Sequence, residues 1–374
     1  MSEWQNTTLG DVITLHYGKA LKTQNRIVGN IPVYSSAGIT GYHNEPLVMS
    51  KGIIIGRKGT VGKVYYSPEP FWCIDTAYYV LPNETKYDFI WLYYQLGTIG
   101  LEELNEDSAV PGLNRTTAYS QDILIPSIAE QKAIASVLSS LDNKIDLLHR
   151  QNKTLESMAE TLFRQWFVEE AQNDWEEKTL ADFGKVVCGK TPSKKKSEYY
   201  GNDIPFLKIP DMHGRVFISS TEDNLSLLGA ESQLNKLLPE GSLCVSCIAT
   251  VGLVCITSKP MQTNQQINSI IPKSSKYLYF LFLLMKSIND ELHSLASGGT
   301  TTLNLNTGNF SKIKICVPPK EDIFSFNQSV YDFFEKIKSN TNQIQTLENL
   351  RDTLLPKLMS GEVRVSYTPE EIKQ

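Results

Sequence analysis

The chain carries one long unit twice. Trp4, Thr8, Leu9, Asp11, Gly18 and Lys19 recur as Trp175, Thr179, Leu180, Asp182, Gly189 and Lys190, all displaced by 171 positions. Thr60-Val61-Gly62, Pro70 and Pro82 recur as Thr250-Val251-Gly252, Pro260 and Pro272, displaced by 190, and Leu113-Asn114 recurs as Leu303-Asn304 at that same displacement. The displacement grows as loops change length, while the order holds. Two copies of so long a unit predict pseudo-two-fold symmetry, which suits a target that itself has two halves.

A chain of 374 residues is expected to form two domains. Each half is long enough to bury a core of its own. No run of 18 apolar residues exists, so no membrane span is expected. Met1-Ser2-Glu3-Trp4-Gln5 lacks the basic and apolar regions of a secretory signal. The six cysteines are scattered, five of them in the second half, which fits reduced thiols in a cytoplasm. The net charge of −5 argues against gripping nucleic acid by bulk charge. DNA binding would need local basic patches or a partner.

Each copy reads as a strand-rich globule followed by a long helix. In the first globule, residues 52–56 form a short apolar strand bounded by glycines, 61–66 a second strand and 77–81 a third. Residues 87–96 read as an aromatic-rich helix. The second globule repeats this with strands at 242–248, 251–257 and 267–271 and a helix at 277–285. Strands with a segregated helix make each globule α+β.

The long helices have the clearest period. The first opens near Pro126-Ser127, with Ser127 placed to cap and Glu130 at the capping-box position. Its seam runs Ile134, Leu138, Leu141, Ile145, Leu148, Asn152, Leu155, Ala159, Leu162, Trp166, in the alternating steps of a heptad. The second seam runs Val330, Phe333, Ile337, Asn340, Ile344, Leu347, Arg351, Leu354, Leu358, the same ladder displaced by 192. At ~1.5 Å per residue, about 40 residues make a rod of roughly 60 Å. Each stripe could lie on its own globule, but such unbroken ladders in both copies favour an antiparallel coiled coil. Centring the ladders on one another sets Leu148 opposite Ile344, Leu155 opposite Ile337 and Asn152 opposite Asn340. Seam asparagines weaken a coiled coil but fix its register. Arg351 is the misfit, with Leu350 as its substitute.

Several catalytic patterns fail on inspection. Gly56-Arg57-Lys58-Gly59-Thr60-Val61-Gly62-Lys63 is one residue too long for a phosphate loop, and Val64 stands where Ser or Thr must meet magnesium. Asp75, Glu84 and Lys86 have the loose shape of a nuclease set, but residues 82–85 read better as a turn. Cys244 and Cys247 have zinc-knuckle or redox spacing within an apparent strand, which would point them to opposite faces. The histidines at 16, 43, 149, 213 and 293 show no ligand spacing. Pro318-Pro319 is not flanked as an adenine-methyltransferase base loop requires, and no glycine-rich dinucleotide loop exists. No metal site is expected.

Globule, helix, globule, helix, with Trp-x4-Leu-x-Asp opening each globule, resembles the specificity subunit of type I restriction–modification systems. Further matches are Gly59-Thr60-Val61-Gly62, Ile125-Pro126 with Glu130-Gln131, and the helix ends Leu155-Glu156 to Phe163-Arg164-Gln165-Trp166-Phe167 and Leu354 to Glu362. One departure is a longer segment, Glu321 to Gln328, in place of Gln131 in the second copy. The resemblance divides the chain into a first target-recognition domain (1–127), a central long helix (128–170), a second recognition domain (171–318), a C-terminal long helix (319–362) and a tail (363–374). It implies a non-catalytic DNA-binding chain that reads a bipartite, asymmetric double-stranded target. Two modification subunits, which bind S-adenosylmethionine and methylate adenine, would dock on the paired helices, and these would act as a ruler. Restriction subunits using ATP and magnesium would complete the complex, and this chain itself would bind no cofactor. The competing expectations are a stand-alone nuclease using Asp75, Glu84 and Lys86, or a protein scaffold that binds no DNA.

Loop chemistry supplies the candidate DNA contacts. In the first globule, Arg57, Lys58 and Thr60 sit at a tight turn, and Asn114, Arg115 and Thr116 follow a Pro-Gly turn. Arginine reads guanine bidentately, and lysine or threonine can hold phosphate. Lys19 and Lys190 hold equivalent places after a glycine. In the second globule the candidates are Thr191, Lys194 and Lys195 in a basic loop, the amides Asn264, Gln265 and Gln266, and Thr301 and Asn304. The copies differ most in these loops, as readers of unlike half-sites require.

Overall fold

The computed structural model describes residues 4–104, 112–171, 175–297 and 303–366. Its contacts group the chain into two units, residues 1–145 with 346–374 and residues 146–345. This differs from an element-by-element division, because both boundaries fall inside a long helix. Those helices are Ile128–Arg164 and Lys320–Met359. The second therefore begins at Lys320.

The first unit is built on a four-stranded antiparallel sheet in the order His16–Tyr17, Ala77–Val80, Gly52–Gly56, Val64–Ser67. The apolar run at 53–55 is continuous because both faces of its strand are covered. Ile53 and Ile55 pack with Trp91 and Leu92, while Ile54 packs with Phe71 and Cys73. The strand expected to start at residue 61 starts at Val64 instead, since Gly62 at φ +72° belongs to the turn. The aromatic helix is Phe89–Leu96, capped by Asp88, whose Oδ1 accepts from Trp91 N at 2.9 Å. A ribbon pairs Gln5–Thr8 with Asp122–Ile125. The long-helix residues Ile134, Leu138, Leu358 and Met359 join the same core.

The second unit repeats this plan with a five-stranded sheet in the order Gly184–Cys188, Ile267–Pro272, Leu243–Ile248, Thr250–Thr257, Phe217–Ile218. Its ribbon pairs Glu176–Thr179 with Lys314–Val317. Leu278–Ser287 and Asn289–Ala296 cover one face of the sheet. Ala159, Phe163, Val330, Phe334 and Ile337 from the long helices enter its core. Phe334 is the fully buried ring, stacked on Tyr279 at 4.1 Å, whereas the expected Phe333 is only partly buried. The stripe serves both the partner helix and the globule, so it is wider than a two-position seam.

Within the second unit the long helices run antiparallel. Asn152 meets Asn340, and Phe163 lies 5.8 Å from Phe326. Leu148, Ile337, Asn340 and Ile344 are buried, with Asn152, Leu155 and Leu162 half-buried. In the first unit Ile145 is buried and Leu141, Leu347 and Leu354 are half-buried. Arg351 keeps its seam position because Nη1 reaches Asp142 Oδ1 at 2.9 Å, and Tyr94 Oη donates to the other oxygen at 2.5 Å. Leu350 is 44 % exposed and takes no part in the seam. Ser127 caps the first long helix, its Oγ accepting from Glu130 N at 3.3 Å. No capping box closes there, because the Glu130 carboxylate turns to Arg364 Nη2 at 2.7 Å and Trp4 Nε1 at 3.2 Å.

Candidate nucleic-acid interface

In the first globule, backbone hydrogen bonds bring together loops far apart in sequence. Gly18 N donates to Ala77 O at 3.2 Å and Lys19 N to Cys73 O at 2.9 Å. Gly18 has no alternative there, since a Cβ would stand 2.0 Å from Ile74 O. Arg57 N and Lys58 N both donate to Thr76 O, at 2.9 and 3.0 Å. Leu113 N donates to Arg57 O at 2.8 Å, which sets residues 112–116 beside the turn. Lys19, Arg57, Lys58, Arg115 and Thr116 thus share one neighbourhood, with Thr60 exposed at the turn between strands. Asn114 is committed to structure, because its Oδ1 accepts from Thr116 N at 2.8 Å and caps Arg115–Tyr119.

Sequence reasoning passed over Tyr17, which lies against this group. Its ring centroid is 5.2 Å from Arg57 Cζ and 5.3 Å from Arg115 Cζ. Tyr78 meets it edge-on at 5.0 Å. Burial, ahead of the hydrogen bond to Tyr17, pushes the Tyr78 phenol up to about 12, so it stays neutral at physiological pH. The available signal was a lone aromatic directly before the duplicated Gly-Lys pair, with cysteine in its place in the other copy.

The second globule reuses the frame. Gly189 N donates to Ile267 O at 3.1 Å and Lys190 N to Thr263 O at 2.9 Å. A Cβ on Gly189 would stand 2.0 Å from Asn264 O. Thr191 Oγ1 donates to Gln265 Oε1 at 2.5 Å, joining the basic loop to the amide loop. Lys190, Lys194, Lys195 and Gln265 are exposed. Lys196 Nζ donates to Tyr199 Oη at 2.9 Å, a bond that raises its pKa. Asn264 does not fit a base reader: it is 7 % exposed, its Nδ2 donates to Gln266 Oε1 at 2.9 Å, and its Oδ1 accepts from Gln266 N at 3.1 Å. Thr301 lies outside the described residues, and Asn304 bridges to Ile248.

The repeat also needs one realignment. Leu305 N donates to Cys247 O as Leu113 N donates to Arg57 O, both at 2.8 Å. Asn306 caps Thr307–Ser311 as Asn114 caps Arg115–Tyr119. The counterpart of Leu113-Asn114 is therefore Leu305-Asn306, at the displacement of the long helices, and not Leu303-Asn304. Likewise Asn327 Oδ1 accepts from Tyr279 N at 3.2 Å where Gln131 Oε1 accepts from Asp88 N at 2.7 Å.

The catalytic decoys resolve as structure. Gly56 to Lys63 links two strands, and no helix follows. Lys86 Nζ donates to Asp11 O at 3.0 Å, and Asn83 to Tyr87 form a turn. Cys244 and Cys247 enter different cores on opposite faces of their strand. Burial pushes the Cys247 thiol up to about 11. Among the described residues, no three His, Cys, Asp or Glu side chains gather as metal ligands, and no helix is long and apolar enough to cross a membrane.

The family model for the type I restriction modification DNA specificity domain matches residues 1–157 and 172–351. The chain is 40 % identical over 327 residues to the HindI type I restriction enzyme specificity subunit of Haemophilus influenzae, covering 68 % of this chain and 71 % of that one. It is 27 % identical over 345 residues to the MjaIX specificity subunit of Methanocaldococcus jannaschii, covering 85 % and 79 %. The fold is similar to the crystal structure of a type I restriction-modification S subunit from M. genitalium, with a TM-score of 0.64 at 16 % identity over 98 % of this chain and 97 % of that one.

Proposed function

This chain belongs to the type I restriction–modification DNA specificity family, and from that premise we propose that it reads a bipartite, asymmetric double-stranded DNA target, one half per globule. It is a specificity subunit, not a catalytic one. The observation that carries the two-reader proposal is the shared frame with unlike surfaces. Gly18-Lys19 and Gly189-Lys190 make the same backbone bonds, while an arginine group surrounds the first and a lysine and amide group the second.

The long helices would act as the ruler. Half-sites read on one face of B-DNA are spaced by about one turn, roughly 34 Å, or its multiples. A 37-residue helix at ~1.5 Å per residue spans that distance without a flexible joint. In this proposal the same helices dock two adenine-methyltransferase subunits, which carry S-adenosylmethionine and add the DNA grip that a chain of net charge −5 lacks. Restriction subunits using ATP and magnesium join the same assembly, and the site of action is the cytoplasm. The experiment is a genome-wide methyl-adenine map with and without the gene. A split motif lost on deletion is expected, and an unchanged map would remove the proposal.

A further inference from the structure

Tyr17 lies on an edge strand and is 50 % exposed, with two guanidinium groups within 5.3 Å of its ring centroid. Arg150, Arg164, Arg351 and Arg364 each hold a carboxylate, and Arg26 and Arg215 each donate to a backbone carbonyl, whereas among the described residues neither Arg57 nor Arg115 forms an ion pair. Arg57 Nε is shielded from solvent without an acceptor. In a chain with more acidic than basic residues, two cations converge on one ring, and no described carboxylate pairs with either. The exposed Arg115 guanidinium and the terminal nitrogens of the half-buried Arg57 are the donors a ligand rich in acceptors could meet.

The second globule fills the three positions equivalent to Tyr17, Arg57 and Arg115 with neutral side chains, although Lys190 keeps its place. Cys188 pairs with Asn268 in the sheet as Tyr17 pairs with Tyr78. Asn268 Nδ2 donates to Leu305 O at 3.1 Å where Tyr78 Oη donates to Leu113 O at 3.2 Å. Cys247 stands at the position of Arg57, and Thr307 opens its helix as Arg115 does. The frame therefore forms without the cations, and cohesion of the fold does not account for them.

We infer that Tyr17 is a positioning residue that holds Arg57 and Arg115 as a preorganised pair, and that this pair reads a guanine in one half-site only. The inference rests on the DNA-reading proposal and adds the base class and the residue that aims the readers. Cation–π contact restrains long side chains that would otherwise sample many rotamers. A restrained guanidinium matches the O6 and N7 acceptors of guanine in the major groove.

The test is co-expression of the full chain with its methyltransferase partner in a host without adenine methylation, the host chromosome being the probe. Wild type is expected to yield a split motif with a required G·C pair in one half. Tyr17→Ala, Arg57→Ala and Arg115→Ala should each relax that pair by about ten- to one-hundred-fold and leave the other half intact. Tyr17→Phe, which keeps the ring, should keep the wild-type motif. Arg115 is exposed, so its variant reads recognition without disturbing a core. An unchanged motif in the Arg115→Ala variant, parallel loss at both halves, or equal damage from Tyr17→Phe and Tyr17→Ala would overturn the inference. Loss of methylation with the motif unchanged would also overturn it, assigning the pair to phosphate. A wild-type chain that directs no split motif would overturn the DNA-reading proposal itself.

Discussion

Asn340 Nδ2 donates to Asn152 Oδ1 at 2.8 Å across the two long helices, and to Gln151 Oε1 at the same distance. Asn340 is fully buried, and its own Oδ1 has no acceptor role. Such a bond is expected to fix register, and it leaves one buried polar atom unmet. Replacing both asparagines by leucine should raise stability in urea unfolding by about 1 kcal/mol. Asn340→Ala alone should lower it by about 1 kcal/mol, because it strands the half-buried Asn152 carbonyl. Register is read by cross-linking a Leu148→Cys, Ile344→Cys pair, four residues away on each helix. Cross-linking should be efficient in the native background and fall in the double-leucine one; equal yields would mean that the asparagines do not set register.

Each globule opens on the same threonine–aspartate bond, and this gives a pH signature. Thr8 Oγ1 donates to Asp11 Oδ2 at 2.6 Å, and Thr179 N and Oγ1 both donate to Asp182 Oδ2 at 2.8 Å. The Thr8 hydroxyl, then its backbone N–H, holds the Asp11 carboxyl below the usual carboxylate value. For Asp182 the Thr179 backbone N–H comes first, then the hydroxyl. A depressed folded pKa stabilises the fold above the unfolded value of about 3.9, and the contribution is lost as pH falls through the folded value. Carboxyl NMR titration should find both groups depressed. Thr8→Val should raise Asp11 partway and leave Asp182 unmoved; a shift in both would refute the local origin.

The parts legible in sequence were those governed by short-range period. Heptad steps located both long helices and the Asn152–Asn340 contact, and the 52–56 run located a strand covered on both faces. What escaped depends on meetings between distant segments. Tyr17, Arg57 and Arg115 converge through backbone bonds to residues 73–77 and 112–113, and no spacing rule encodes that. Glu130 has capping-box spacing, yet Arg364 and Trp4 outcompete the local bond. Arg351 violated the apolar pattern because its partner, Asp142, lies on the other helix.

Ala249 sits at φ +65° where the first copy has Gly59 at φ +82°. An L-residue there costs about 1–2 kcal/mol. Exchange for glycine returns about 0.4–1 kcal/mol of unfolded-state entropy. The strain outweighs the entropy, so Ala249→Gly should stabilise the second unit by about 0.5–1 kcal/mol. The mirror exchange, Gly59→Ala, meets only Ser36 Oγ at 3.6 Å, an ordinary contact, and should cost a similar amount. Thermal unfolding of both variants checks the pair, and shifts of the same sign would contradict the assignment of the two positions as equivalents.

The Leu-Asn-Leu-Asn run at 303–306 lets the repeat be aligned in two ways, and helix capping separates them. Asn306 Oδ1 accepts from Asn309 N at 2.9 Å, closing the first turn of its helix as Asn114 does in the first copy. Loss of such a cap costs about 1 kcal/mol. Asn304 contributes backbone bonds, its N–H donating to Ala296 O at 3.0 Å, and these survive a change of side chain. Asn306→Ala and Asn114→Ala should therefore destabilise by similar amounts, while Asn304→Ala stays within about 0.5 kcal/mol of wild type. Denaturant midpoints of the three variants decide between the alignments. A larger cost at 304 than at 306 would restore the displacement of 190 and would place Arg115 opposite Leu305, a buried residue, instead of Thr307.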